Sequence, residues 1–309
     1  MKLLIELPTW LGDTVMTTPA FENLVACFDD PEITIIGSAI SIEVLKNHPR
    51  VIRSYVLSKK YNLLIRQVRI LHHFDFFISF RNSFRSRVLK IFVSATSKYQ
   101  FNKSNYKNRH VVEKYNDFIK DIFEINRSPG RLKIYQDNNS VLTKSRPSAG
   151  INPGASYGDA KRWNVDKFAE VALELSSQYE IIIFGGPNEV DIAIDIEKIL
   201  IKNGVENFHN LAGKTSIKEL IEYISSLQIF ITGDSGPMHL ASSFQVPTVS
   251  IFGPTLDNET SQWKNNQSII IKKNLDCQPC MKRTCPLKHH NCMNLIEVEE
   301  VLSAASSLN

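Results

Sequence analysis

Short apolar runs alternate with longer mixed stretches along this chain, a rhythm that predicts strand then helix, repeated. In the first half, strands are expected at 2–7, 33–37, 51–57 and 76–80, with helices over 13–27, 41–46 and 61–72. The second half repeats the plan, with strands at 149–152, 180–184, 228–232 and 248–252 and helices over 165–178, 190–201, 216–225 and 235–244. A final helix over 295–308 is expected to close the structure, with no sign of which domain receives it. Alternation of this kind implies α/β architecture, with parallel sheets covered by helices. At 309 residues the chain is long for one core and natural for two domains. The polar run QDNNSVLTKSRPS, 136–148, reads as the linker between them. The expected division is 1–140, 149–294 and a terminal helix at 295–309.

Glycines mark the carboxyl ends of these strands: Gly12, Gly154, Gly185 with Gly186, Gly233 with Gly236, and Gly253. Ligands of open α/β sheets bind beyond such ends, which predicts one cleft between two facing domains. Two loops carry the chemistry. ITGDSGPMH, 231–239, puts an acid, a hydroxyl and a glycine between a strand and a helix, where free N–H groups can receive phosphate oxygens. Asp234 there suits sugar or ribose hydroxyls. GINPGASYGDAKRW, 150–163, offers the Ser156 hydroxyl and the charges of Lys161 and Arg162, suited to a diphosphate. Each loop alone also fits a ligand-free alternative: a capped helix, or a solvated basic pair.

Charge is unevenly spread. Residues 44–112 hold 15 Lys or Arg and one acid, Asp75, a net +14, while the whole chain carries only +4. The rest is therefore acidic. Such a block argues for a polyanionic partner of the first half: anionic lipid headgroups, a phosphorylated glycolipid or nucleic acid. No nucleic-acid-binding motif accompanies it, and part of the charge needs no partner beyond water. No segment approaches 18 uncharged apolar residues, and MKLLIELPTW makes a poor signal peptide. The expected location is cytoplasmic.

Near the C-terminus Cys277, Cys280, Cys285 and Cys292 form CxxCx4Cx6C, and Cys27 stands alone. A reducing compartment disfavours disulfides, leaving free thiols or a structural zinc or iron–sulfur cluster. The spacing lacks the second CxxC of a common zinc knuckle.

The stretches PTWLGDTVMTTPAF, INPGASYGDAKRW, IIIFGGPNEVD, NLAGKTS and ITGDSGPMHLASS followed by VPTVSIFGPT occur in one order across almost the entire chain. In that order they resemble the bacterial lipopolysaccharide heptosyltransferases (glycosyltransferase family 9), most closely the enzymes that add the second heptose. The resemblance implies a GT-B fold: two Rossmann-like domains facing across a cleft, the first for the acceptor and the second for the nucleotide sugar. It implies transfer of L-glycero-D-manno-heptose from ADP-heptose to the inner core with inversion, and no metal or other cofactor in the transfer site.

By family position Asp13 is then the general base and Lys161 the stabiliser of departing diphosphate. Ser156 and the N–H groups of Ser235 and Gly236 complete the phosphate cradle, and Asp234 receives donor-sugar hydroxyls. Arg162 serves the diphosphate or an ion pair. His239 touches the donor or fills the cleft wall. Glu189 meets the ribose or adenine edge, or simply starts a helix. Trp163 and Met238 pack on the nucleotide or in the core. Arg81, Arg85 and Arg87, following FDFFISF, are expected to hold anionic groups of a phosphorylated lipid A–Kdo–heptose acceptor. Other bases of the block would meet the anionic inner face of the cytoplasmic membrane, making the protein peripheral.

Rival readings are a first-heptose transferase, another nucleotide-sugar glycosyltransferase of the same plan, a nucleotide-sugar epimerase, and a non-enzymatic polyanion binder. The epimerase leaves the basic half without a purpose, and the binder leaves the second-half loops without one. A dinucleotide enzyme fits worse, because the first strand leads into TWLGD and not a glycine fingerprint.

Overall fold

The protein is described here from a computed structural model, which covers residues 1–136 and 146–308. The chain divides into two compact units, Met1–Asp137 and Asn138–Asn309. Residues 137–145 of the expected linker lie outside the described residues, and Ser148 already belongs to a strand.

The first unit runs β1 (Lys2–Glu6), α1 (Leu11–Val25), β2 (Glu32–Gly37), α2 (Ala39–Leu45), β3 (Val51–Val56), α3 (Tyr61–Arg69), β4 (Phe74–Ser79), α4 (Phe84–Phe92), β5 (Ala95–Gln100) and α5 (Val111–Phe123). Its five strands are parallel, in the order β3-β2-β1-β4-β5. β1 is central, and Leu3, Leu4 and Ile5 are all buried because helices cover both faces of the sheet. On one face Leu64 and Val68 of α3 and Leu89 of α4 pack on Leu4, Ile36 and Phe77. Each such side chain contributes about 1.5–3 kcal/mol by leaving water.

The second unit runs β6 (Ser148–Asn152), α6 (Val165–Leu175), β7 (Glu180–Ile183), α7 (Val190–Lys202), β8 (Phe208–Asn210), α8 (Ile217–Ser225), β9 (Ile229–Gly233), α9 (Gly236–Ser243), β10 (Thr248–Phe252), α10 (Asp257–Thr260), β11 (Ser268–Lys272), α11 (Asn291–Asn294) and α12 (Val298–Ser306). Short 3-10 turns, Asp159–Lys161 and Pro187–Glu189, precede α6 and α7. The six parallel strands are ordered β11-β10-β9-β6-β7-β8. Isoleucines 151, 181, 183, 229, 231 and 251 form the middle of its core.

Both sheets reverse their strand order once, between β1 and β4 in the first and between β6 and β9 in the second. Loops leaving two such strands part in opposite directions, which opens a crevice at their carboxyl ends. Asp13 and Arg81 follow the first pair of strands; Lys161 and Asp234 follow the second.

Seven elements were not expected from periodicity: α4, α5, α10, α11, β5, β8 and β11. β5 is a half-exposed edge without an apolar run, β11 is a half-exposed edge whose only apolar run is Ile269–Ile271, β8 has three residues, and α5 is amphipathic but opens on His110 rather than on Ser, Thr, Asp or Asn. The expected closing helix is α12, which starts three residues later than expected and packs on α6, β10 and β11 of the second unit.

Candidate functional site

In the second unit the reversal point gathers the two loops singled out in the sequence. The loop after β6 turns through Pro153–Gly158 into the short 3-10 turn, whose last residue is Lys161. Its ammonium lies 2.5 Å from Oδ2 of Asp234, which follows β9. Both side chains are nearly out of solvent, at 12% and 6% exposure, so this is a partly desolvated ion pair. Thr255, in the loop after β10, donates to the same Oδ2 at 2.6 Å. The Tyr157 ring lies 4.8 Å from the Lys161 ammonium and 5.4 Å from the Arg283 guanidinium. Two cations thus flank the Tyr157 ring, and one of them pairs with Asp234.

α9 begins at the same place. Its N-cap, Ser235, makes no side-chain cap; the hydroxyl instead meets Asn152 Nδ2 at 3.2 Å and Thr232 Oγ1 at 3.1 Å. The first-turn N–H groups therefore keep their capacity for an anion, and the positive end of the helix dipole favours one. Pro237 removes one donor from that turn. Ser156 is exposed on the β6–α6 loop beside these groups in sequence. His239 and Met238 are buried within α9. Arg162 is half-buried, and its Nε has no hydrogen-bond partner.

Two residues have structural partners. Trp163 belongs to the core and donates to the Ile296 carbonyl at 3.1 Å. Glu189 is buried, accepts from Gly186 N at 2.7 Å, and lies flat on Gly154. A Cβ at position 154 would stand 2.2–2.5 Å from that carboxylate, so only glycine fits.

The cysteine-bearing segment braces the Lys161 loop. Ala160 N donates to the Arg283 carbonyl, Tyr157 OH to the Met281 carbonyl, and His290 Nε2 to the Ala160 carbonyl, all at 2.8–3.0 Å. Gln278 and Met281 fasten the same segment to the carbonyls of Gly253 and Pro254. Burial pushes the Cys292 thiol up to about 11, helped by Cys280, Cys285 and Cys277 nearby. Among the described residues, no three His, Cys, Asp or Glu side chains converge as a metal-ligand set. Gly158 fits under the Arg283 carbonyl, where an added Cβ would approach to 2.4 Å. Gly158→Ala is expected to cost about 1–3 kcal/mol of stability and to raise the donor KM, because the loop must pull away from its brace. Thermal melting with steady-state kinetics checks this; unchanged donor KM would mean that the brace does not set Lys161.

In the first unit, α1 starts two residues earlier than expected, so Asp13 is the third residue of the helix and half-buried. Tyr115 of α5 is buried beside it; burial, then the Asp13 charge, pushes the phenol well up. The three arginines after β4 do not form one set. Arg81 turns inward to Glu6 at 3.4 Å. Arg85 donates to the carbonyls of Ser58 and Lys59 and lies over Tyr61. Arg87 is exposed on α4, with Asn82 at 3.5 Å.

Glu6 is the residue that sequence reading missed here. It ends β1 fully buried, accepting from Ser79 at 2.6 Å and Ser86 at 2.8 Å. Burial pushes its carboxyl above 4.5, against the pull of Ser79, Arg81 and Ser86. The folded chain then holds this proton more tightly than the unfolded chain, so stability falls as pH rises through the window above 4.5. Glu6→Gln is expected to remove that fall. Its stability relative to the parent should grow from pH 4.5 upward and then level, measured by urea unfolding. A difference that shrinks as pH rises would show that Arg81 outweighs burial. The sequence signal was an acid closing an apolar strand; Thr255, a hydroxyl at another strand end, was equally readable.

Comparison with known proteins follows from this geometry. Residues 64–291 match the model of glycosyltransferase family 9 (heptosyltransferase). Over all of its length the chain is 39% identical to lipooligosaccharide heptosyltransferase 2 of Campylobacter jejuni subsp. jejuni serotype O:2, covering 98% of that protein. It is 25% identical to lipopolysaccharide heptosyltransferase 2 of Escherichia coli, over 87% of this chain and 88% of the other. The solved structure of E. coli ADP-heptose lps heptosyltransferase II superposes with a TM-score of 0.85 at 22% identity, covering 100% of this chain and 98% of that one.

Proposed function

Because the chain belongs to glycosyltransferase family 9, the heptosyltransferases, we propose that it transfers L-glycero-D-manno-heptose from ADP-heptose to the first heptose of the lipopolysaccharide inner core, with inversion. The observation that carries this reading is the Lys161–Asp234 pair beside the open first turn of α9. A cation and free N–H groups together suit a nucleoside diphosphate, and an acid beside them suits a sugar. The names of the relatives support a second-heptose acceptor.

In the reaction the acceptor hydroxyl oxygen attacks the anomeric carbon while the bond from that carbon to the diphosphate oxygen breaks. ADP leaves with the electron pair, and Asp13 takes the hydroxyl proton. Lys161 moves from Asp234 to the departing diphosphate, where negative charge grows as the bond breaks. Ser156, Arg162 and the N–H groups of Ser235 and Gly236 hold the phosphates. Asp234, released, accepts sugar hydroxyls, with His239 packed behind. Glu189 orders the loop that meets the nucleoside. The charge that stabilises the leaving group is the protein's own, so the step calls for no metal.

Arg81 and Arg85 receive anionic groups of the phosphorylated acceptor; Arg87 stands further out. Since the acceptor is a glycolipid, the enzyme works as a peripheral protein on the inner face of the cytoplasmic membrane. No helix among the described residues is long and apolar enough to cross a membrane.

The test is transfer from ADP-heptose to inner-core acceptors bearing no heptose or one, read by mass spectrometry. Product on the one-heptose acceptor alone is expected. Product on the heptose-free acceptor would make this a first-heptose enzyme, and product on neither would overturn the donor or acceptor assignment.

A further inference from the structure

α3 and α4 pack side by side on one face of the first sheet and run in the same direction, since each returns from the carboxyl end of a parallel strand. Their inner faces are ordinary, with Leu64, Val68 and Leu89 in the core. The outer faces are not. On α3 and its C-cap the exposed positions at i, i+3 and i+7 are Leu63, Arg66 and Ile70; on α4 they are Phe84, Arg87 and Ile91. The same pattern, apolar–Arg–apolar, thus recurs on two neighbouring helices. Exposure reaches 75% for Ile70, 72% for Phe84, 72% for Ile91 and 43% for Leu63. Scattered single apolar residues on a surface need no explanation, but two parallel stripes in one register do.

The charges of this face are uncompensated. Arg66, Arg69 and Arg87 pair with no carboxylate among the described residues; Arg69 lies over Phe92 instead, 5.0 Å from the ring centroid. The only acid of the 44–112 block, Asp75, accepts from the Lys2 backbone N–H at 2.7 Å.

Resting on the reading above that the enzyme works at a membrane, we propose that the outer face of α3 and α4 is its docking surface, with an anionic lipid bilayer as the occupant. The four apolar side chains enter the headgroup–acyl boundary, and the arginines between them meet lipid phosphates. Charge decides against a second copy of the chain, because a two-fold contact would place the arginines of one stripe against those of another. The apolar members decide against nucleic acid, which would leave them in water.

Vesicle flotation tests this on the full chain, with phosphatidylglycerol–phosphatidylethanolamine against phosphatidylcholine vesicles at low salt. The parent is expected to float with the anionic vesicles only. Phe84→Asp with Ile91→Asp, and separately Leu63→Asp with Ile70→Asp, should each cut the bound fraction about tenfold or more while ADP binding and melting temperature hold. Parent-like binding by both double variants would overturn the surface and leave membrane attachment standing. A parent that floats with neither vesicle would overturn attachment and the surface together. A parent that self-associates in light scattering, while the variants stay monomeric, would assign the face to a second copy. Short RNA retained by the parent and lost by the variants would assign it to nucleic acid.

Discussion

Asp13→Asn is expected to lower kcat by about 10²–10⁴-fold while leaving ADP affinity nearly unchanged. The substitution keeps the size of the side chain and removes its capacity to take a proton. Asp13 sits in the first turn of α1, in the first unit, whereas the Lys161 loop and the start of α9 belong to the second. Binding and turnover therefore separate cleanly. Calorimetric titration with ADP, set beside transfer kinetics on the one-heptose acceptor, checks both. Turnover within a few-fold of the parent would remove Asp13 from the role of base. A matched fall in ADP affinity would mean that the helix, and not the proton transfer, had been damaged.

Lys161→Met should cost about 10²–10³-fold in kcat, because charge on the leaving diphosphate loses its one mobile cation. Stability moves too. Asp234 would be left nearly buried with only Thr255, and stranding one member of such a pair costs about 3–5 kcal/mol when burial is complete, less here. Asp234→Asn separates the two effects: it keeps a group for Thr255 and frees Lys161. That variant is expected to bind ADP more tightly than the parent, since the diphosphate no longer competes with a carboxylate for the ammonium. Yet its kcat should fall, for want of an acceptor of sugar hydroxyls. Tight-binding titrations and transfer rates on the two variants check this. Equal ADP affinity in Asp234→Asn and the parent would mean that Lys161 does not change partners.

Much of this was legible in the sequence because it is local. Strands β1, β6, β9 and β10 are fully or almost fully buried, and each carries a short apolar stretch, unbroken in β1 and β9 and interrupted only by Gly150 in β6 and Ser250 in β10. Loops between such runs and helices declared themselves through Gly, Ser and Asp, and the sheets brought Lys161 and Asp234 together at the point where strand order reverses. What stayed hidden depends on partners distant in sequence. β5 gains its place by pairing at a sheet edge, not by its own apolar content. The arginines after β4 shared one motif but take three directions, since Glu6 claims Arg81 from 75 residues away. Trp163, equally at home on a nucleotide or in a core, was decided by the Ile296 carbonyl. Glu6 itself breaks the rule that acids avoid buried strands, and it does so where the acceptor arginines begin.

The brace on the Lys161 loop also bears on how the chain is made. Apart from Asp234 and Phe168, the partners described for residues 157–163 from elsewhere in the chain lie between Met281 and Ile296, so the loop gains its brace only once that segment has been synthesised. At roughly 5–20 residues per second, the stretch from β6 to that segment takes on the order of ten seconds to synthesise. During that interval the first unit can fold, but the donor loop has no wall to lean on. A nascent chain that has not yet reached Met281 thus carries the first unit without a braced Lys161 loop. On the reading proposed above, donor capture waits for residues 281–296, which keeps shorter nascent chains from occupying the nucleotide sugar unproductively.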